Sequence, residues 1–178
     1  MLQCFRDCEE SVSDLELWDA YGADGKTVGT DLVRGEPIPE GLYHLVAEVL
    51  VRHQDGCYLV TRRCDTLPHA PGLWQTGAGG SVCKGENAFQ GALRELQEET
   101  GIVSQELSPL YRVRSEEKQT FFVGFLCQTD WPKQDVRLQP GETVEYRWLE
   151  RTELEALMTS GCFVPGLRQR LAQVWKEV

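Results

Sequence analysis

Residues Gly80 to Ile102 run GSVCKGENAFQGALRELQEETGI. Asn87 and Gln90 fit a capping box, in which each side chain serves a backbone N–H at a helix start. Gly101, followed by apolar Ile102, fits a C-terminal cap. The stretch therefore predicts a helix over residues 87–100. At about 100° per residue, Glu95, Glu98 and Glu99 fall at i, i+3 and i+4 and share one face. Phe89, Ala92, Leu93, Leu96 and Thr100 lie on an adjoining arc that would pack on a sheet. Three carboxylates at this spacing repel one another by a few tenths of a kcal/mol per pair. The helix has Arg94 but no lysine to intersperse among them. A divalent cation would relieve the repulsion, and hard carboxylate oxygens suit magnesium or manganese. Taken alone, the three glutamates read equally well as a solvated acidic face. Upstream, Gly77, Gly79, Gly80 and Gly85 crowd the entry to the helix. Glycines there allow close backbone approach to a ligand, or simply a tight turn. A glycine-rich approach to a helix start also suits phosphate.

Outward from the helix, Leu42 to Arg52 and Cys57 to Arg63 read as two core strands joined by an Asp-Gly turn. Leu73 to Ala78 reads as a short strand running into Gly79 and Gly80. After the helix, Leu107 to Arg114, Thr120 to Gln128 and Val144 to Leu149 read as strands. Thr152 is expected to cap a short helix through Thr159. Residues 166–178 read as a closing helix with Leu167, Leu171, Val174 and Val178 on one face. Near the N-terminus, Leu15 to Ala20 and Thr27 to Val33 flank the turn Gly22-Ala23-Asp24-Gly25, a hairpin signal. Pro37 and Pro39 mark a connector, and residues 1–14 are expected to be loose. The pattern predicts an α/β sandwich with a mixed sheet. The expected division is an extension over residues 1–41, carrying the hairpin, and a main domain over residues 42–178.

The glycine loop and helix together match the Nudix box, G-x5-E-x7-R-E-U-x-E-E-x-G-U with U apolar. Gly80, Glu86, Arg94, Glu95, Leu96, Glu98, Glu99, Gly101 and Ile102 fill every defined place. Seven places demand one residue type, so a chance match at a given start is on the order of one in 10⁸. The chain thus resembles the Nudix hydrolases, from about Leu42 to Leu149. The resemblance implies an α/β/α sandwich and cleavage of a diphosphate linkage in a nucleoside diphosphate derivative or a similar X-linked diphosphate. It implies that Mg2+ or Mn2+ is held by Glu95, Glu98, Glu99 and the Gly79 carbonyl, beside phosphate-facing Gly80. Arg94 would orient the cluster by pairing with Glu86 or Glu95. A further ligand or base often comes from a loop before a strand carrying an aromatic residue. Glu142 and Glu145 precede Trp148 by six and three places, and Glu142 fits better; Glu116 and Glu117 are weaker candidates. Arg62 and Arg63 end a core strand where the family often carries a phosphate-binding arginine, and a strand-end surface charge is the alternative. The catalytic expectation is therefore Glu98, Glu99 and Glu142. Trp74 reads as pocket wall or core; His44, His53 and His69 carry no partner pattern.

Glu16-Leu17-Trp18-Asp19, Tyr43-His44-Leu45 and Pro71-Gly72-Leu73-Trp74 resemble the Nudix branch related to isopentenyl-diphosphate isomerase. That raises isomerisation as an alternative. The isomerase uses Cys-Gly-His before the box helix, and the matching places here are Gly79, Gly80 and Ser81. The isomerase also lacks a full box, so the departures favour hydrolysis. A non-catalytic Nudix domain would usually have lost box glutamates, and none is lost here.

The 178 residues are 41% hydrophobic and 26% charged, with a net charge of −10. That profile is globular. The acidic balance argues against a nucleic-acid surface but not against a small phosphorylated ligand bound through cations. Seven cysteines at irregular spacing, with no CxxC, are expected to be reduced thiols rather than a zinc site. No apolar run approaches the roughly 20 residues of a membrane span, and MLQCFRDCEE, acidic and short of apolar length, is not expected to act as a signal peptide. The expected setting is cytoplasmic, with no membrane partner. The sequence leaves open whether the hairpin covers the pocket or builds a homodimer.

Overall fold

The structure, a computed structural model, describes residues 16–178. The stretch expected to be loose, Leu15, Cys4 and Cys8 lie outside the described residues. β3 (His44–His53) forms the spine. Its residues alternate between faces, as a strand flanked on both sides requires. Leu45, Ala47, Val49 and Val51 are buried on one face with Ala92 and Leu96 of α1 (Ala88–Thr100). Leu50 faces the other way, joining Tyr58 and Val60 of β4 (Tyr58–Arg63). That second core is closed by Leu154 and Met158 of α2 (Arg151–Thr159) and Leu167 and Leu171 of α3 (Pro165–Ala172). The result is the expected helix–sheet–helix sandwich.

The sheet is mixed. β3 runs parallel to β8 (Thr120–Thr129), which pairs antiparallel with β7 (Ser108–Ser115). β4 leaves β3 after two register pairs and runs antiparallel to β5 (Trp74–Thr76) and β9 (Thr143–Leu149). The strand expected over Leu73 to Ala78 is two. β5 stays on β4, whereas β6 (Ala78–Ser81) crosses to pair with β3. The crossing occurs at Gly77, whose φ is +44°, and a β-carbon there would strike the Val49 carbonyl. Only glycine serves at such a place.

Two helix ends also differ from expectation. Glu150, not Thr152, is the N-cap of α2, and its backbone N–H donates to the Glu153 carboxylate at 2.8 Å. α3 stops at Ala172, short of Val178. The Trp175 and Val178 carbonyls accept from the Arg151 guanidinium, and Trp175 joins the core behind Leu171. The five described cysteines are free thiols. No helix among the described residues is long and apolar enough to cross a membrane.

β1 (Leu17–Tyr21) and β2 (Thr27–Val33) form the expected hairpin as a separate two-stranded sheet. Trp18, Ala20 and Leu32 give it a small core of its own. Trp18 stacks on His44 at 4.5 Å between ring centroids. His44 Nε2 lies 2.7 Å from Thr120 Oγ1. That hydroxyl donates to the Lys118 carbonyl, so His44 Nε2 is the donor and the unpartnered Nδ1 carries no proton. Burial pushes His44 down to about 4. Below pH 6.5 the unfolded chain gains a proton that the folded chain refuses until about pH 4, so stability falls as pH drops through that window. The loss amounts to about 3 kcal/mol by its lower end. Urea titrations at pH 7 and pH 4.5 are expected to show a steeper acid loss for the parent than for His44→Gln. Parallel losses would remove His44 as the cause.

Candidate active site

α1 begins and ends as its sequence requires. The Asn87 side chain accepts from the Gln90 N–H at 3.0 Å and the Gln90 side chain from the Asn87 N–H at 2.9 Å. Gly101 closes the helix at φ +73°. With Ala92 and Leu96 fully buried, rotation about the axis places the glutamates in a graded series. Glu99 is 4% exposed, while the side chains of Glu95 and Glu98 are 13% and 47% exposed.

Glu99 points beneath the glycine strand. Its carboxylate accepts from the Gln75 amide at 3.2 Å and, at 3.4 Å, from the Gly79 N–H. Both partners are neutral. Burial, reinforced by the neighbouring Glu95 charge, pushes Glu99 up to about 8. Burial also raises Glu95, with Arg94 opposing and Glu98 and Glu16 adding to the rise. Gly80 supplies room for Glu95, because a β-carbon at Gly80 would collide with that carboxylate.

Arg94 takes the orienting place and does more than expected. Its guanidinium binds Glu86 at 3.0 Å, Glu95 at 2.8 Å, Glu98 at 3.0 Å and the Ser81 carbonyl at 2.9 Å. Glu86 also accepts from the Cys83 N–H at 3.1 Å, which folds the loop back onto the helix.

Arg62 and Arg63 diverge, as neighbours on a strand must. Arg62 goes to Asp65 at 3.0 Å and toward Glu145 at 3.8 Å. Arg63 donates to Gln75 at 3.0 Å, and Gln75 to Glu99, so Arg63 is the arginine joined to the site. Glu145 is held by Arg147 at 2.7 Å. The Glu142 charge acts on both Glu99 and Arg34. Glu116 is committed to Tyr43 and Arg114, and no hydrogen bond among the described residues ties Glu116 or Glu117 to α1. Trp74 is core, with Arg147 over its ring.

Sequence reasoning missed three side chains. Gln75 sits in a wholly buried strand, Trp-Gln-Thr, and a buried amide demands partners, so that signal was available. Glu16 and Arg34 come from the ends of the hairpin, and no local pattern links them to the box.

Among the described residues, no three acidic, histidine or cysteine side chains converge on one point. The donor set nevertheless fits a hard cation. Glu99 is a buried carboxylate with neutral partners beside a second buried carboxylate, the charge imbalance that a divalent ion corrects. A hollow of about 460 Å³ adjoins Glu98, lined by Gln97, Gly101, Trp131, Arg137, Leu138, Gln139 and Pro140. A larger one, about 750 Å³, is lined by Arg52, Gln105 and Asp130 among others and touches no box residue. Of the residues expected in the site, only Glu98 lines the first.

The NUDIX domain model matches residues 42–166. The chain belongs to the Nudix hydrolase family. A Nudix hydrolase of Listeria monocytogenes, described as uncharacterised, is 34% identical over 155 residues, covering 85% of this chain and 89% of that protein. The Nudix sandwich recurs in DR0079 from Deinococcus radiodurans, with a TM-score of 0.75 at 19% identity over 90% of this chain and 99% of that one. It recurs also in the NUDIX domain of Shewanella oneidensis NrtR, solved with ADP ribose. There the TM-score is 0.53 at 19% identity, covering 64% and 77% of the two chains. Both likenesses are of fold.

Proposed function

We propose that this Nudix hydrolase cleaves the diphosphate linkage of a nucleoside diphosphate derivative or related X-linked diphosphate, with Mg2+ or Mn2+ held by Glu95, Glu98, Glu99 and the Gly79 carbonyl. The observation that carries the reading is Glu99, a carboxylate buried with neutral partners under a glycine strand and beside a second buried carboxylate. Ligation requires Glu95 and Glu98 to turn from Arg94, which is within reach for Glu98 because it is half-exposed. A bound divalent cation supplies neutralisation of diphosphate charge and acidifies a water.

The remaining work falls to the chain's own side chains. Arg94 keeps α1 and the glycine loop in register through Glu86 and Ser81. Arg63, braced by Gln75, offers a cation to phosphate, and Gly79 and Gly80 let the backbone approach it. Glu142 is the proposed base for the attacking water. Its field at Glu99 and the capture of Glu145 by Arg147 support that choice over Glu145. The separate core of the hairpin supports a boundary near residue 41.

The test is a panel of nucleoside diphosphate derivatives with magnesium, read as released phosphate and nucleotide. Isopentenyl diphosphate is included and followed by NMR. At least one derivative is expected to be cleaved and no dimethylallyl diphosphate to appear. Isomerisation needs an acid and a base facing an apolar chain, and Gly79 and Ser81 occupy the places of the thiol and the histidine. Isomer formed at enzymatic rate, or no cleavage anywhere in the panel, would overturn the proposal.

A further inference from the structure

We infer that Arg34, at the end of the N-terminal hairpin, is a substrate-binding residue that takes an anionic oxygen of the diphosphate on the open side of the glutamate cluster. The inference rests on the hydrolase reading above and adds to it a residue from outside the Nudix domain.

The hairpin is fastened to the loop that leads into α1. The Lys84 N–H donates to the Leu17 carbonyl at 2.8 Å, the Gly85 N–H to Asp19 at 2.8 Å, and the Lys84 ammonium pairs with Asp31 at 2.6 Å. These contacts come from both strands and land within a few residues of Gly80 and Glu86, so the hairpin is positioned relative to the box. Its two ends lie side by side. The Arg34 N–H donates to the Glu16 carbonyl at 2.9 Å, and the Arg34 guanidinium pairs with the Glu16 carboxylate at 2.5 Å. Trp18 Nε1 holds that carboxylate in turn at 2.9 Å.

Glu16 reaches the field of Arg94, and Arg34 the fields of Glu142 and Glu95. Leu17, next to Glu16, accepts from the Lys84 N–H, so the Arg34 guanidinium stands at the hairpin's edge beside the loop leading into α1, where those charges act on it. Its side chain is 60% exposed, and among the described residues its only side-chain partner is Glu16.

A site built from glutamates must still admit an anion. Arg63 supplies a cation on the β4 side, through Gln75, and Arg34 supplies one on the hairpin side. A guanidinium fork matches two phosphate oxygens at once. A purely structural role explains the site poorly, because an exposed ion pair contributes little to stability, and the hairpin is already tied down through Leu17, Asp19 and Asp31.

The experiment titrates methylenediphosphonate, a diphosphate that cannot be hydrolysed at its bridge, into the full chain with magnesium by calorimetry. Arg34→Ala, Arg34→Lys and Lys84→Ala are compared, with melting temperatures recorded. Arg34→Ala is expected to weaken binding about tenfold or more, the scale of a charged hydrogen bond, without lowering the melting temperature. Lysine restores part of the affinity, and Lys84→Ala stays near the parent. With a cleaved substrate, Arg34→Ala raises KM more than it lowers kcat. Equal binding by Arg34→Ala, or an equal loss in Lys84→Ala, would overturn the role of Arg34 while leaving the hydrolase reading intact. Failure of the parent itself to bind the diphosphonate would overturn both.

Discussion

Removal of divalent cations by a chelator is expected to abolish turnover, and Glu99→Gln to lower kcat at least about 100-fold in the presence of magnesium. Substitutions one layer behind a metal ligand cost about 10–100-fold, so loss of a direct carboxylate sets a floor near the top of that range. Glutamine keeps the shape of Glu99 and its hydrogen bond with Gln75, and removes only the charge. Since burial penalises that charge, Glu99→Gln is expected to melt at the parent's temperature or above it in metal-free buffer. Magnesium should raise the parent's melting temperature and leave that of Glu99→Gln unmoved, because only the charged site gains from binding. Glu98→Gln should also lower kcat, with no stability effect, since its side chain is half in solvent. Near-normal rates in both variants, or full turnover after chelation, would reduce the helix to an acidic surface.

The box helix was legible because its information is local. Asn87, Gln90 and Gly101 stand at fixed offsets, and each satisfies backbone groups within its own turn. The hairpin and the strands that follow α1 were legible for the same reason, through alternation and turn residues. Errors gathered where the partner is distant in sequence. Gly77 was visible as a glycine, but its task, switching the chain from β4 to β3, depends on the Val49 carbonyl lying beneath it. Strand alternation required Arg62 and Arg63 to part, yet which one meets Glu99 depends on Gln75, twelve places beyond Arg63. The end of α3 is set by Arg151 taking its trailing carbonyls, which no local cap announces. Arg34 stands 46 residues before Gly80, where the box begins, and only the docked hairpin brings it near.

The other large effect is expected away from the chemistry. On the α2–α3 face of the sheet, Glu48 of β3 receives Arg170 from α3, with Nε at 2.7 Å, and the Tyr111 hydroxyl from β7, also at 2.7 Å. The Arg170 and Glu48 side chains are only 9% and 13% exposed, and the guanidinium lies 3.7 Å above the Phe122 ring. Gly124 makes the arrangement feasible, since a β-carbon there would strike the Tyr111 ring. Arg170→Met would keep much of the stem's packing on Phe122 and leave a buried carboxylate with one neutral partner. Removing one member of a buried pair costs about 3–5 kcal/mol, against a total of roughly 5–15 kcal/mol for a domain. The melting temperature should fall by about 10 °C or more. Arg170→Met combined with Glu48→Leu should recover most of that loss, because an apolar pair of similar volume avoids the desolvation of both charges. Glu48 lies opposite Gly79 in the β3–β6 register, so the same variants also show whether this cluster steadies the glycine strand. At temperatures where Arg170→Met stays folded, unchanged kcat per folded molecule is expected, with the whole effect in stability. A loss below about 1 kcal/mol for Arg170→Met would mean that water reaches the pair and the cluster behaves as a surface contact.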